Sequence, residues 1–261
     1  MGVGANKIYH RLFSEVYMSR RVFLRTLLIM LFLVLFAALT LIIAFPSLMS
    51  DADAGASLPT TSPTVIIDAG HGGEDGGALG DDGTKEKDLN LDIALALCDM
   101  LRAEGVNVIM TRTEDILLYD RNADYEGKKK VLDLRARLRV SEDNPGALFI
   151  SIHMNAFPQK KYDGLQVYFP LGDTASEALA KLIQDDIHAT LQPQNLRRPK
   201  GAGSNVYLLD KNPNTAVLIE CGFLSNDAEC ARLNDAAYRR QLALIFYNSI
   251  MKYISDDSKS P

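Results

Sequence analysis

The sequence predicts an α/β fold: a layered domain with a mixed sheet of about six strands flanked by helices, preceded by one transmembrane helix. Three observations lead there. Between residues 64 and 255, short apolar runs alternate with stretches whose apolar residues recur every three or four positions, the pattern of helices laid against a sheet. Polar residues end several of those runs, and open α/β sheets keep their chemistry at the carboxyl ends of strands. Ahead of them, "TLLIMLFLVLFAALTLIIAF" runs 20 residues from Thr26 to Phe45 without a charge.

That leading segment rises about 30 Å as a helix, the thickness of a bilayer core. Lys7, Arg11, Arg20, Arg21 and Arg25 precede it against one acid, Glu15, so residues 1–25 are expected as a cytoplasmic stub and the domain outside the cell membrane. A cleaved signal peptide is the rival; the apolar run is long for one, although an Ala-x-Ala stands at 52–54. Residues 46–63, rich in Pro, Ser, Ala and Thr, read as a flexible linker.

Within the domain, 64–68 ("TVIID") is a strand leading into a glycine loop. Residues 88–105 place Leu89, Ile93, Leu97 and Leu101 on one helical face and stop at Gly105. A strand follows at 106–112, then a helix at 129–143 with Leu134 and Leu138 on one face among basic residues. Strands are expected at 147–153, 165–169, 205–209 and 216–220, with a helix at 175–191 carrying Leu179, Leu182, Ile183 and Ile187. Residues 238–254 close the domain as a helix, leaving a polar tail at 256–261.

Composition narrows the function. The chain is 47% hydrophobic and 23% charged, which suits a globular domain, and its net charge of −5 offers nothing to nucleic acid. Three cysteines without a C-x-x-C pair give neither a disulfide framework nor a thiolate zinc site, and Cys98 and Cys221 read as small core residues. The glycine loop, "IIDAGHGGEDGGALG" at 66–80, is not a nucleotide fingerprint, because Asp75 stands where the third glycine is required and two acids would repel a phosphate.

Instead, four polar residues stand at strand ends or loops: His71 after the first strand, Glu86 at the mouth of the next helix, His153 ending "LFISIH" and Glu220 ending "AVLIE". Two imidazoles and a carboxylate suit Zn²⁺ with a position left for water, and a second carboxylate beside that water suits a general base. Glu74 and Asp75 are nearby spares, and Asp68 is placed to orient an imidazole from behind. A carboxylate in so apolar a run as that of Glu220 needs a partner.

Taken in order, "IDAGHGGEDGGALG", "KEKDLNLDIA", the "TR" at 111–112, "SIHMNA" and "LIECGFLSN" closely resemble the zinc-dependent N-acetylmuramoyl-L-alanine amidases of the bacterial cell wall, the amidase-3 group. The likeness spans about residues 64–254. It implies that His71, Glu86 and His153 hold zinc and that Glu220 is catalytic. Ala69 departs from the proline often found before "GHGG". The implied substrate is peptidoglycan, cut between the lactyl group of N-acetylmuramic acid and L-alanine. A membrane tether on a bare catalytic domain is similar to the spore-cortex amidases, and an activating protein partner or a plugging segment within 113–133 stays open. Arg197, Arg198 and Lys200 are expected to hold the acidic stem peptide. The alternatives are another exported zinc amide hydrolase, such as a carboxypeptidase or glycan deacetylase, and a non-catalytic wall-binding module.

Overall fold

A computed structural model describes residues 23–25, 27–36, 63–120 and 128–257. The chain divides into two units, Met1–Thr60 and Thr61–Pro261. In the first, residues 23–25 and 27–36 are helical, and the apolar side chains from Leu27 to Phe36 are all exposed. Among the described residues no helix is long and apolar enough to cross a membrane. The remainder of the apolar run 26–45, most of the expected stub and linker, and the tail beyond 257 lie outside the described residues.

The second unit is the α/β domain. Its strands are β1 (Thr64–Ala69), β2 (Asn107–Met110), β3 (Leu148–Asn155), β4 (Gln166–Pro170), β5 (Lys200–Ala202) and β6 (Ala216–Phe223). They form one sheet in the order β2-β1-β3-β6-β4-β5. The β2–β1, β1–β3 and β3–β6 pairs are parallel; β4 runs antiparallel to β6, and β5 parallel to β4. The sheet is therefore mixed, as expected.

Burial on both faces explains the continuous apolar strands. On one face Val65, Ile67 and Ala69 of β1 meet Leu89, Ile93, Leu97 and Leu101 of α1 (Glu86–Ala103) in one core. The same core takes Leu179, Ile183 and Ile187 of α3 (Thr174–Ala189), and Leu242, Phe246 and Ile250 of α6 (Ala236–Asp257). On the other face Ile66, Phe149 and Leu218 pack with Leu138 of α2 (Lys129–Glu142) and with Leu208 and Leu209 of α4 (Tyr207–Asp210). Cys98 and Cys221 are buried core residues.

Two elements differ from the sequence expectation. The expected strand at 205–209 is instead the helical turn α4. Leu208 and Leu209 are adjacent and both buried in the same core, which a strand cannot arrange because its successive side chains point to opposite faces. The sixth strand is β5, whose three residues "KGA" are too short and too polar to register as an apolar run. A further helix, α5 (Asp227–Asn234), is capped by the Asn226 side chain, which accepts hydrogen bonds from the Ala228 and Glu229 amides.

Candidate metal and catalytic site

From β1 the chain crosses through α1 to β2 on one side, then returns through α2 to β3 on the other. The carboxyl ends of β1 and β3 thus bound the crevice where the strand order reverses. His71 follows β1, His153 lies near the end of β3, and Glu86 opens α1, the helix that leaves β1. Glu220 of β6 is the direct register partner of His153, and the pairing shifts between His153 and Asn155, an irregularity of the kind that re-aims side chains beside active sites.

One ligand atom each from His71, Glu86 and His153 lies within 4.8 Å of the other two. Glu86 Oε1 is 3.2 Å from His71 Nε2 and 2.9 Å from His153 Nδ1. The two rings meet edge to face, their centroids 5.0 Å apart. Backbone amides fix the carboxylate: Ala78 donates to Oε2 at 2.7 Å and Met154 to Oε1 at 2.9 Å, with Asn90 Nδ2 at 3.3 Å. Burial opposes ionisation of Glu86, yet the bonds and charges of the two imidazoles outweigh it and hold the carboxyl well below the usual range. Burial likewise opposes a charge on His153, and its bond to Glu86 overcomes this and raises its pKa.

The donor set fits zinc: two imidazoles and one carboxylate converge, and Glu86 Oε1 stands between two ring nitrogens. His71 Nδ1 lies 2.9 Å from Asp75 Oδ2 without the alignment of a hydrogen bond and, among the described residues, is a buried atom with no hydrogen-bond partner. Glu220 Oε2 is another. Burial pushes the Glu220 carboxyl up to about 7; the imidazoles of His153 and His71 pull the other way and the Glu86 charge adds to the rise. The site therefore sets a carboxyl held ionised beside one that burial pushes up towards neutrality.

The glycines have a packing reason. A Cβ at Gly70 would stand 2.3 Å from His153 Nε2, and one at Gly77 would stand 2.5 Å from Glu86 Oε2 and 2.8 Å from His71 Cδ2. Bare backbone on both sides of the imidazole lets the ligand side chains close together.

The remaining expected residues lie as follows. Asp68 makes no hydrogen bond to an imidazole among the described residues: its fully buried carboxylate accepts from Thr111 Oγ1, Ser151 Oγ and Arg137 Nη1, and it bears on His153 through charge alone. Arg197 donates to Asp163 O and to Gln166 Oε1 and lies over the Phe223 ring, and Gln166 is the register partner of Glu220. Arg198 instead lines a groove with Glu177, Lys181 and His188, and the exposed Lys200 belongs to β5. Sequence reasoning marked Arg112 only as part of the "TR" motif, without a role, and missed Arg137; both are buried cations behind the glycine loop. The signal for Arg137 was its place beside Leu138 and three residues after Leu134, on the apolar face of α2.

A family model described as N-acetylmuramoyl-L-alanine amidase matches residues 65–252. The germination-specific N-acetylmuramoyl-L-alanine amidase of Bacillus subtilis is 35% identical over 205 residues, 78% of this chain and 85% of that relative. Among solved structures, the CwlD amidase of Clostridioides difficile in complex with the GerS lipoprotein is 41% identical with a TM-score of 0.70, the match covering 74% of this chain and 99% of that one. An N-acetylmuramoyl-L-alanine amidase of Clostridium difficile 630 is 28% identical with a TM-score of 0.66, over 77% of this chain and 100% of that one.

Proposed function

The chain belongs to the N-acetylmuramoyl-L-alanine amidase family, and we propose that it cleaves peptidoglycan with zinc held by His71, Glu86 and His153 and with Glu220 as general base. The bond cut joins the lactyl group of N-acetylmuramic acid to L-alanine of the stem peptide. The observation that carries the roles is the convergence of three ligand atoms beside a carboxyl whose Oε2 has no hydrogen-bond partner.

Zinc, when bound, supplies Lewis acidity to the water and the scissile carbonyl. Glu220 Oε2 takes the proton of the attacking water and passes it to the alanine nitrogen as the amide breaks. A carboxyl that titrates near neutrality does both, since it accepts a proton readily and releases it readily. Glu86 cannot share this task, because two backbone amides and two imidazoles hold it ionised. Arg197, next to Gln166 on the far side of Glu220, is the cation of the basic loop best placed for an acidic stem peptide.

Three further readings rest on likeness and composition. The 35% identity to a germination-specific amidase supports a role in the spore cortex. The complex of the CwlD amidase with a lipoprotein supports an accessory protein for this chain too. The 20-residue apolar run, helical and exposed where it is described, supports a membrane anchor with the catalytic unit outside the cell.

Mass spectrometry of products from purified peptidoglycan tests the reaction. Free amino termini on L-alanine beside intact muramic acid are expected. Released terminal D-alanine or deacetylated sugars would move the chain to one of the other hydrolase classes.

A further inference from the structure

We infer that Arg137 is a positioning residue for His71, setting the affinity of the metal site by gripping the main chain from behind. His71 is the one non-glycine residue among those described with a left-handed backbone, at φ 61°. That conformation is disfavoured for a side-chain-bearing residue and persists only where its surroundings impose it. The imposing contact is on the carbonyl: Arg137 Nη2 donates to His71 O at 2.6 Å. The same guanidinium donates through Nη1 to Ala69 O at 2.7 Å and to Asp68 Oδ1 at 2.6 Å, and through Nε to Asp133 Oδ2 at 2.7 Å. One rigid fork therefore ties the end of β1, the carbonyl of residue 69 and the carbonyl of residue 71 into a fixed spacing.

Arg112 completes the grip. Its Nε donates to Ala69 O and its Nη2 to Gly70 O, where Asn90 Nδ2 also arrives. Three successive carbonyls, starting at the last residue of β1, are thus satisfied by side chains. Arg137 is 1% exposed and its two carboxylate partners are equally enclosed. Such an enclosed charge needs its partners, and α2 supplies one of them in Asp133, four residues before Arg137 on the same helix face. The buried residues of α2 are mostly polar: Asp133 and Arg137 pair with each other, Ser141 bonds Asn212 and Asn214, and Leu138 is apolar.

Of the two arginines, it is Arg137 that donates to the carbonyl of the residue carrying the imidazole. With the carbonyl of residue 71 held, the ring is turned towards Glu86 Oε1; with it released, the backbone relaxes and Nε2 swings away from its two neighbours. The inference rests on the zinc reading above, and its test separates the two. The full-length chain in detergent is titrated with zinc against a chromogenic chelator, and with cobalt as an optical probe of ligand geometry. R137K keeps a charge and one bond but loses the fork. We expect zinc to bind about 10- to 100-fold more weakly, as when a ligand's supporting hydrogen bond is removed, and the cobalt spectrum to change. S151A, which removes a different hydrogen bond of Asp68, should keep wild-type affinity. Should R137K fail to fold, D133N weakens the hold on the guanidinium at Nε while its amide oxygen still accepts from the Leu118 amide, and a smaller loss of affinity in the same direction is expected. Wild-type affinity in R137K, or an equal loss in S151A, overturns the inference while leaving the zinc site standing. Absence of zinc binding by the wild-type chain overturns both.

Discussion

Gly70 and Gly76 belong to the same loop and have opposite prospects. A methyl group at Gly70 meets the His153 ring at 2.3 Å, so the ring must leave Glu86; at Gly76 nothing lies within 4 Å. Gly70→Ala should therefore lose zinc and turnover together, by about tenfold or more, while Gly76→Ala keeps both within about twofold. Metal content and activity of the two variants in parallel check this, and equal behaviour would contradict the packing argument. Glu220 makes a prediction in pH. Its folded pKa of about 7 lies above the ordinary 4.5, so between those values the folded, metal-free chain holds a proton that the unfolded chain has released. Stability from this group is present below about 4.5 and is lost as pH rises through about 7, on the order of 3 kcal/mol in all. Urea unfolding of the metal-free chain should show that fall, and Glu220→Gln should flatten it. The same variant should keep zinc and lose about 10²–10⁴ in kcat, the usual scale for a general base. Zinc loss in Glu220→Gln would make Glu220 a ligand instead.

At the scale of elements, the connection from α3 to β5 carries three cations in four residues, and the fold sends them in different directions. Arg197 turns towards Gln166 and the Phe223 ring at the Glu220 edge, Arg198 towards the groove beside α3, and Lys200 into β5. Arg197→Gln should raise KM for stem-peptide substrates several-fold with kcat little changed, the signature of binding lost equally from ground and transition states. Arg198→Gln and Lys200→Gln should leave KM alone. Steady-state kinetics on muropeptides checks all three, and an unchanged KM in Arg197→Gln removes the loop from substrate binding. The same segment shows why local pattern misleads. Between residues 200 and 210 the polar triplet became the strand and the apolar run became a helical turn, because pairing with β4 and burial of both leucines outweighed local preference.

At the scale of the molecule, the chain divides into two units, Met1–Thr60 and Thr61–Pro261. The basic residues before the apolar segment support the proposal that the catalytic unit lies outside. Protease added to intact protoplasts should digest the catalytic unit and leave a membrane-bound stub. Protection of the catalytic unit would reverse the orientation, and a mature chain beginning near Gly55 would mean that the segment is cleaved.

The sequence alone determined the class of fold and most of the elements, and it singled out the four residues proposed to bear the chemistry. Periodicity reports which face of an element is buried, and a polar residue that ends an apolar run has few places to be other than a strand end. Only the tertiary structure decided which of those residues meet. His71, Glu86 and His153 are far apart in the chain, and their convergence comes from the reversal of strand order between β1 and β3. It also decided what stands behind them. Asp68 reads in sequence as a carboxylate placed to orient an imidazole, and in the fold it accepts from Arg137, Thr111 and Ser151. Arg137 reads as one basic residue among several on a charged helix, and in the fold it is buried against the carbonyls of the glycine loop. The physical reason is that a charge's partner is chosen by distance in space, and hydrogen bonds spanning 66 to 69 residues leave no periodic trace along the chain.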